Sequence, residues 1–377
     1  MILSSIEADC FRNLGGRIIW GDGINILYGN NGQGKSNWLE AIHLLARTRS
    51  FRTQRLQETI KFGKGHASVC GSVSLGEVSR DLKITLNDNT KQIFVNGRRE
   101  PITRYLGQLY AVAFTSDELE IVRGVPEARR RFLDRGATSL HPPYTQTLID
   151  YRRVIKQKNR LLQDAADNGF GLSKLNDLIT PWNDQLIHLA TSIHLERTNY
   201  VDKLNRALDH NLFNDQIGIR YVSSLEGRGD LKDYEALISD RLRLRLQAEI
   251  SAGACLIGPH RDDLEILFGG RDLRTFGSSG QQRSALIALD LAAISVYNSK
   301  HQDYPIFLID DIDAELDGIR IARLLEYLDE RVQTFITTSK KNYFESSSRA
   351  ANFYEISSGF ARAEYEPAPS MAVAGIS

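Results

Sequence analysis

Between residues 24 and 48 the chain passes from an extended to a helical pattern across one glycine-rich loop. That loop, Gly29-Asn30-Asn31-Gly32-Gln33-Gly34-Lys35-Ser36, fits the phosphate-cradling pattern G-x-x-x-x-G-K-S/T in full. The match carries weight because an apolar strand precedes it and an amphipathic helix follows it. Glycines let backbone N–H groups turn toward phosphate oxygens, and the following helix N-terminus favours negative charge. Lys35 would neutralise the β- and γ-phosphates, and Ser36 would offer its hydroxyl to Mg²⁺. A glycine-rich turn with a chance Gly-Lys-Ser would lack this strand–loop–helix setting. ATP and Mg²⁺ are therefore the expected cofactors.

A loop of this kind needs a parallel sheet and an acidic partner. Pro305-Ile306-Phe307-Leu308-Ile309-Asp310-Asp311 supplies both, as an apolar strand whose carboxylates emerge at its C-terminal end. Ligands bind at that end of open α/β sheets. Asp310 is the expected Mg²⁺ ligand, and Asp311 the residue that orients or polarises the attacking water. By itself the pattern is an ordinary strand ending in a polar turn; the full phosphate loop gives it meaning.

The coarse pattern divides the chain. Residues 2–8, 17–20, 24–28, 67–75, 79–86, 92–95 and 109–114 read as strands, with Asn96-Gly97 as a hairpin turn, and residues 35–48 as a helix. From 126 to 212 the chain is mostly helical and rich in Arg, Lys, Leu and Gln. Strands or helices of an α/β unit resume at 263–268, 281–298, 305–309, 319–329 and 332–337. The expected fold is α/β, an ATPase head in two sequence segments, 1–117 and 254–377, with a mainly α-helical insertion at 118–253. Residues 366–377 read as a disordered tail.

Phe276-Gly277-Ser278-Ser279-Gly280-Gln281-Gln282-Arg283 opens a helix. Alone it is a plain N-cap. The order of phosphate loop, long insertion, Ser-x-Gly-Gln and acidic strand end is that of ABC-type ATPases. Ser278, Gly280 and Gln281 then stand as the signature that closes on a partner's nucleotide, and Ala314-Glu315-Leu316-Asp317 as the D-loop.

With these motifs in place, the chain resembles the RecF family of bacterial recombination mediators, relatives of the SMC ATPases that act at DNA gaps. The resemblance rests on Phe11-Arg12-Asn13, the phosphate loop with Asn37, Leu39-Glu40-Ala41-Ile42, Arg49-Ser50-Phe51-Arg52 and Arg130-Arg131-Phe132-Leu133-Asp134. It rests further on Gly258-Pro259-His260-Arg261-Asp262-Asp263, Gly280-Gln281-Gln282-Arg283, Leu308-Ile309-Asp310-Asp311 and Glu315-Leu316-Asp317. It covers nearly the whole chain. It implies an ATP-dependent homodimer on double-stranded DNA and single-strand/double-strand junctions, with RecR and RecO as partners in loading RecA. It also implies a weak, DNA-stimulated ATPase and a nucleoid-associated, cytoplasmic address. The chain departs from the family at Ser279 and Ala314, where the family usually has Gln and Ser, and it matches the family's Ser-Pro-Glu-Asp-Leu only loosely at Thr115-Ser116-Asp117-Glu118-Leu119.

Lys and Arg total 47, as do Asp and Glu, so a polyanion site must be a local patch. Candidate DNA contacts are Arg47, Arg49, Arg52 and Arg55 after the phosphate-loop helix. Others are Arg129, Arg130, Arg131, Arg152, Arg153, Lys156, Lys158 and Arg160 on the insertion, although solvated helices carry such charges routinely. His260 with Asp262 and Asp263 is a poor metal-ligand set, so a structural or interface role is expected there. Asp311 and Asp313 could suggest a nuclease, but a further carboxylate cluster is lacking. Thr337 and Thr338 stand where many ABC-type ATPases carry a γ-phosphate-sensing His, which favours slow hydrolysis. Cys10, Cys70 and Cys255 read as reduced, packed thiols, their odd number and spacing arguing against disulfides and a zinc site. No apolar run approaches the ~18 residues of a membrane span, and the opening residues lack a secretory leader's pattern. The alternatives are an SMC-like structural ATPase, which needs far longer coiled-coil arms, and an importer's ATPase subunit, whose insertion is short and docks on a membrane partner.

Overall fold

The computed structural model describes residues 1–87, 90–168, 172–209, 212–213, 216–328, 332–345 and 351–364. The tail expected at 366–377 lies outside them. The chain forms two compact units, one of Met1–Glu120, Ala207–Asp215 and Gly277–Ser377, the other of Ile121–Arg206 and Gln216–Phe276.

The first unit holds two six-stranded sheets. One runs Gly16–Ile19, Ile2–Asp9, His66–Leu75, Val78–Asn87, Lys91–Val95, Arg98–Arg99, every neighbour antiparallel. Its strands alternate buried and exposed residues, as a half-covered sheet requires. Asn96 and Gly97 make its last turn with φ of 49° and 74°, the left-handed pair of a tight hairpin. The other sheet runs Phe360–Ala363, Ala351–Ser357, Ile24–Tyr28, Thr334–Thr338, Ile306–Ile309, Ala111–Phe114. It is parallel from Ala351–Ser357 to Ala111–Phe114. Its inner strands are buried along their whole length, which explains their unbroken apolar runs.

The helix Lys35–Arg47 packs against both sheets. Trp38, Leu39, Ile42, Leu44 and Leu45 are each 0% exposed in a common core with Leu3, Ile6, Ile84 and Phe335. A Cβ on Gly71 would come within 2.7 Å of the Leu45 side chain, so glycine lets the helix approach the sheet. Thr48 ends the helix by turning left-handed and returning its N–H to the Leu44 carbonyl. The strand pair Ala351–Ser357 and Phe360–Ala363, absent from the sequence expectation, completes the parallel sheet's edge beside the phosphate-loop strand.

The second unit packs the helices Pro126–Leu140, Tyr144–Asn168, Leu172–Ala207 and Tyr234–Ala252 with a three-stranded sheet. Pro181 lies inside the long helix. The unit boundaries differ from the sequence expectation. Residues 254–276 belong with the helices because Asp263–Phe268 pairs along its whole length with Ile217–Val222.

Within this unit the Gly258-to-Asp263 block is a structural hub. Asp262 is fully buried and accepts from the Tyr221 hydroxyl and from Ser224 N at 2.7 Å. His260 Nδ1 meets the Tyr151 hydroxyl at 2.7 Å and Nε2 meets the Cys255 carbonyl at 3.1 Å. Burial holds the His260 imidazole below its ordinary pKa, which suits a neutral ring wedged between two partners. Arg197 donates to the Pro259 carbonyl and grips Asp134 through two nitrogens.

Candidate functional site

The loop after Ile24–Tyr28 is built on conformations that glycine tolerates. Gly29, Gly32 and Gly34 have φ of 144°, 79° and 112°. A Cβ on Gly29 would stand 2.5 Å from the Ile356 carbonyl oxygen, so both backbone angle and space demand glycine there. Lys35 is 7% exposed and curls over the loop, donating from Nζ to the carbonyls of Gly29 at 2.7 Å and Asn30 at 3.1 Å. Burial lowers its pKa, while Asp311, Asp313 and Asp310 pull the other way. A phosphate over the loop would meet this ammonium together with the helix N-terminus.

The acidic pair is fixed by the strand between it and the phosphate loop. Thr337, on Thr334–Thr338, is fully buried. Its hydroxyl accepts from Asp311 N and donates to Asp310 Oδ1, both at 2.7 Å. Asp311 turns left-handed at φ 51°. Burial, with Asp313 and Asp310 beside it, raises the Asp311 carboxyl above its ordinary pKa, and Lys35 partly offsets this. Burial also acts on Asp313, but hydrogen bonds from Ser339 and Thr338 outweigh it and hold that carboxyl low. Asp313 is thus spoken for by the following loop. The serine hydroxyl of the phosphate loop and the strand-end carboxylates are hard oxygen donors, the set that suits Mg²⁺.

Several residues quoted only for their resemblance prove to form one network around the first turns of the phosphate-loop helix. Arg12 grips the fully buried Glu40 at 2.7 and 2.9 Å, and Ser50 donates to the same carboxylate at 2.6 Å. Asn37 donates to Asn13 Oδ1 at 2.7 Å and accepts from Arg52 at 2.8 Å. Asn13 in turn donates to the Gln33 carbonyl at 3.3 Å. The turn between the last two strands leans on the loop as well: Ser358 N donates to Gln33 Oε1 at 2.7 Å and Gly359 N to the Gln33 carbonyl at 2.8 Å. A Cβ on Gly359 would collide with the Asn13 carbonyl oxygen at 2.0 Å.

Ser278 caps the helix Ser279–His301 and is exposed. Its Oγ accepts from Gln281 N at 3.3 Å, and Gln281 Oε1 accepts from Ser278 N at 2.8 Å, a reciprocal capping box. Arg283 bridges to Glu315 at 2.6 Å, tying this helix to the stretch before Asp317. Asp317 caps Gly318–Tyr327, and bonds from Arg320 hold its carboxyl low.

The candidate DNA contacts divide. Arg152, Arg153 and Lys156 are exposed on Tyr144–Asn168, and Arg131 is exposed beside Glu127. Arg129 is corrected: it is 4% exposed and clasps Asp263 through two nitrogens at 2.6 and 2.9 Å, so its charge serves the fold. Arg130 donates to the Asp262 carbonyl at 2.7 Å and is half-buried. Lys158 is corrected too. It is fully buried and meets the fully buried Glu249 at 2.8 Å, as facing charges at an angle outside hydrogen-bond geometry.

The family described as RecF/RecN/SMC N terminal domain matches residues 2–361. The chain is 36% identical over 371 residues to the DNA replication and repair protein RecF of Ruminiclostridium cellulolyticum, covering 95% of this chain and 98% of that one. It is 35% identical over 350 residues to that of Staphylococcus epidermidis, covering 89% and 92%. Among solved structures, the recombination mediator protein RecF bound to ATP in the RecFOR pathway superposes with a TM-score of 0.86 at 30% identity. That likeness covers 96% of this chain and 97% of the other. An Smc head bound to a domain of ScpA superposes with a TM-score of 0.55 at 15% identity over 96% of each chain, a likeness of fold alone.

Proposed function

The chain belongs to the RecF family, and from that membership we propose that it is an ATP-switched DNA-binding mediator of recombination in DNA replication and repair. ATP with Mg²⁺ occupies the loop from Gly29 to Ser36, with Ser36 and Asp310 holding the metal. Lys35 turns from the Gly29 and Asn30 carbonyls to the phosphates. Asp311 positions the attacking water. Ser278, Gly280 and Gln281 of a second copy close the site, and Asp317 stands at the seam. The ATP-bound dimer grips duplex DNA and single-strand/double-strand junctions, and slow, DNA-stimulated hydrolysis lets go. In the cytoplasm, at the nucleoid, it works with RecO and RecR to place RecA at gaps.

One observation carries this reading: Thr337 locks both strand-end carboxylates beside a phosphate loop whose lysine they act upon. Thr337 also bears on the rate. Its hydroxyl is spent on Asp310 and Asp311 and carries no titratable proton, which supports a timer more than a motor. The runner-up, an SMC-like structural ATPase, needs coiled-coil arms far longer than the 25- and 36-residue helices of the second unit.

The test is sedimentation of the full chain with and without a slowly hydrolysed ATP analogue, and with blunt or gapped duplex DNA. Dimerisation on analogue addition, and tighter binding of gapped DNA only then, are expected. A monomer under all conditions, or DNA affinity indifferent to nucleotide, overturns the switch.

A further inference from the structure

The strands Ile2–Asp9 and His66–Leu75 are neighbours, with Asp9 opposite Ser68. Beyond Asp9 the chain turns at Cys10, whose φ is 52°. The Cys10 carbonyl accepts from Lys61 N at 2.8 Å, Phe11 bridges to Ile60, and Arg12 N donates to the Thr59 carbonyl at 2.6 Å. These backbone bonds fix the end of one strand against the segment that leads into the other.

Three different donors meet there. Cys10 Sγ lies 3.3 Å from Asp9 Oδ1, and His66 Nε2 lies 3.6 Å from Asp9 Oδ2. One ligand atom from each residue lies within 4.8 Å of the others, and among the described residues no other trio of His, Cys, Asp or Glu is brought together in this way. A tetrahedral zinc ion with bonds of about 2.0 Å to N and O and about 2.3 Å to S would space its ligand atoms about 3.3–3.5 Å apart. The Cys10 and His66 contacts fall on different oxygens of Asp9, and the three ligand atoms, all within 4.8 Å of one another, must draw in by up to about 1.5 Å to close on one ion.

The count and spacing of the cysteines argue against a zinc site, but the fold brings Asp9 and His66 to Cys10, and we propose that these three form a binding site for a borderline-soft divalent cation of the zinc class, with solvent in the fourth position. The donor set of thiolate, imidazole and carboxylate is wrong for Mg²⁺ and right for such an ion. Binding replaces the thiol proton, which leaves to solvent, with a sulfur–metal bond. Asp9 and His66 side chains are both 62% exposed; the hydrogen bond to Asp9 raises the Cys10 thiol's pKa, and Lys64 and Lys61 offset this only in part. The lysines favour the thiolate but repel the cation, so the site is reversible and open, unlike a buried structural zinc. When filled, it staples both ends of the turn that presents Phe62, an aromatic ring at full exposure, between Lys61 and Lys64.

Cobalt titration of the reduced full chain, followed by competition with Zn²⁺ against a chromophoric chelator, tests this. Cobalt should give thiolate-to-metal charge-transfer absorption that zinc displaces. Cys10→Ser should abolish that absorption and weaken zinc binding at least ~10-fold, and His66→Ala should weaken it comparably, as loss of a ligand costs no less than loss of an outer-shell partner. Cys70→Ser, at a half-buried thiol on the same strand as His66, should change neither. Thermal transitions without metal should match the parent. If one of the two variants melts early, Asp9→Asn carries the same expectation for zinc. Charge transfer persisting in Cys10→Ser, or zinc affinity within about twofold of the parent in these variants, overturns the site.

Discussion

At the scale of single residues, the acidic pair offers the sharpest test. Asp310 and Asp311 are neighbours in sequence, yet the fold treats them differently. Asp310 accepts from the Thr337 side chain, whereas Asp311 meets Thr337 through its backbone N–H and sits left-handed with a raised carboxyl pKa. Asp311→Asn should bind ATP with near-parental affinity and hydrolyse it at least ~10²-fold more slowly, the usual size of acid–base effects. In the parent, kcat/KM reports the free site, where a raised carboxyl must lose its proton to act as base. Activity should therefore fall, as pH drops, at a higher pH than an ordinary aspartate would set, and Asp311→Asn should lose that limb. Single-turnover hydrolysis across acidic pH measures both. Normal turnover in the variant would move the catalytic role to Asp310 or Asp317.

At the scale of elements, local patterns were easier to read than the contacts that use them. The strand Asp263–Phe268 was legible to the residue, because alternation and the following Gly269-Gly270 turn are local signals. Its membership of the second unit was not, since pairing with Ile217–Val222 is a long-range fact. The last hairpin was missed because its strands carry partly polar, partly covered residues without strict alternation. Nor could charge alone separate Arg129 and Lys158, buried in pairs, from Arg152, Arg153 and Lys156, which face solvent on the same run of helices. The two groups predict opposite phenotypes. Replacing Arg152, Arg153 and Lys156 by Glu should flatten the salt dependence of DNA binding by about 0.9 in log–log slope for each phosphate no longer neutralised, with ATP affinity intact. An unchanged slope would place the DNA elsewhere. Lys158→Met, by contrast, should cost ~3–5 kcal/mol, because it strands the buried Glu249 charge. Glu249 Oε1 also accepts from Leu256 N at 2.8 Å, so adding Glu249→Gln should restore part of the loss by removing the charge while keeping an acceptor. Denaturant midpoints of the single and double variants decide this; equal stability of Lys158→Met and parent would show the pair to be solvated.

At the scale of the whole molecule, the site proposed for one chain is half a site. The loop proposed to bind phosphate and the helix start at Ser278 are each present once per chain. The capping box pairs the N–H groups of Gln281 and Ser278 within the chain, and Ser278 stays exposed with a helix N-terminus behind it. In the proposed sandwich the γ-phosphate of one copy meets this N-terminus of the other, where the dipole and an N–H-rich first turn favour anionic oxygens. ATP is then the bridge between copies, and neither copy can hydrolyse alone. Ser278→Arg should keep monomeric ATP binding, because nothing in the loop from Gly29 to Ser36 changes. It should lose dimerisation, hydrolysis and nucleotide-dependent DNA binding together, because a long cation fills the seam. Lys35→Met should lose ATP binding itself, its phosphates being deprived of their main cation. Mixing the two variants separates these effects. Each heterodimer has one composite site with both lesions and one with neither, so the mixture should recover part of the dimerisation and hydrolysis that each variant lacks alone. Sedimentation with a slowly hydrolysed analogue, and turnover at equal total chain, measure that recovery. Failure of the mixture while Ser278→Arg still binds ATP would mean both sites must fill before the dimer closes. Dimerisation of Ser278→Arg by itself would reduce Ser278 to the helix cap that its hydrogen bonds already describe.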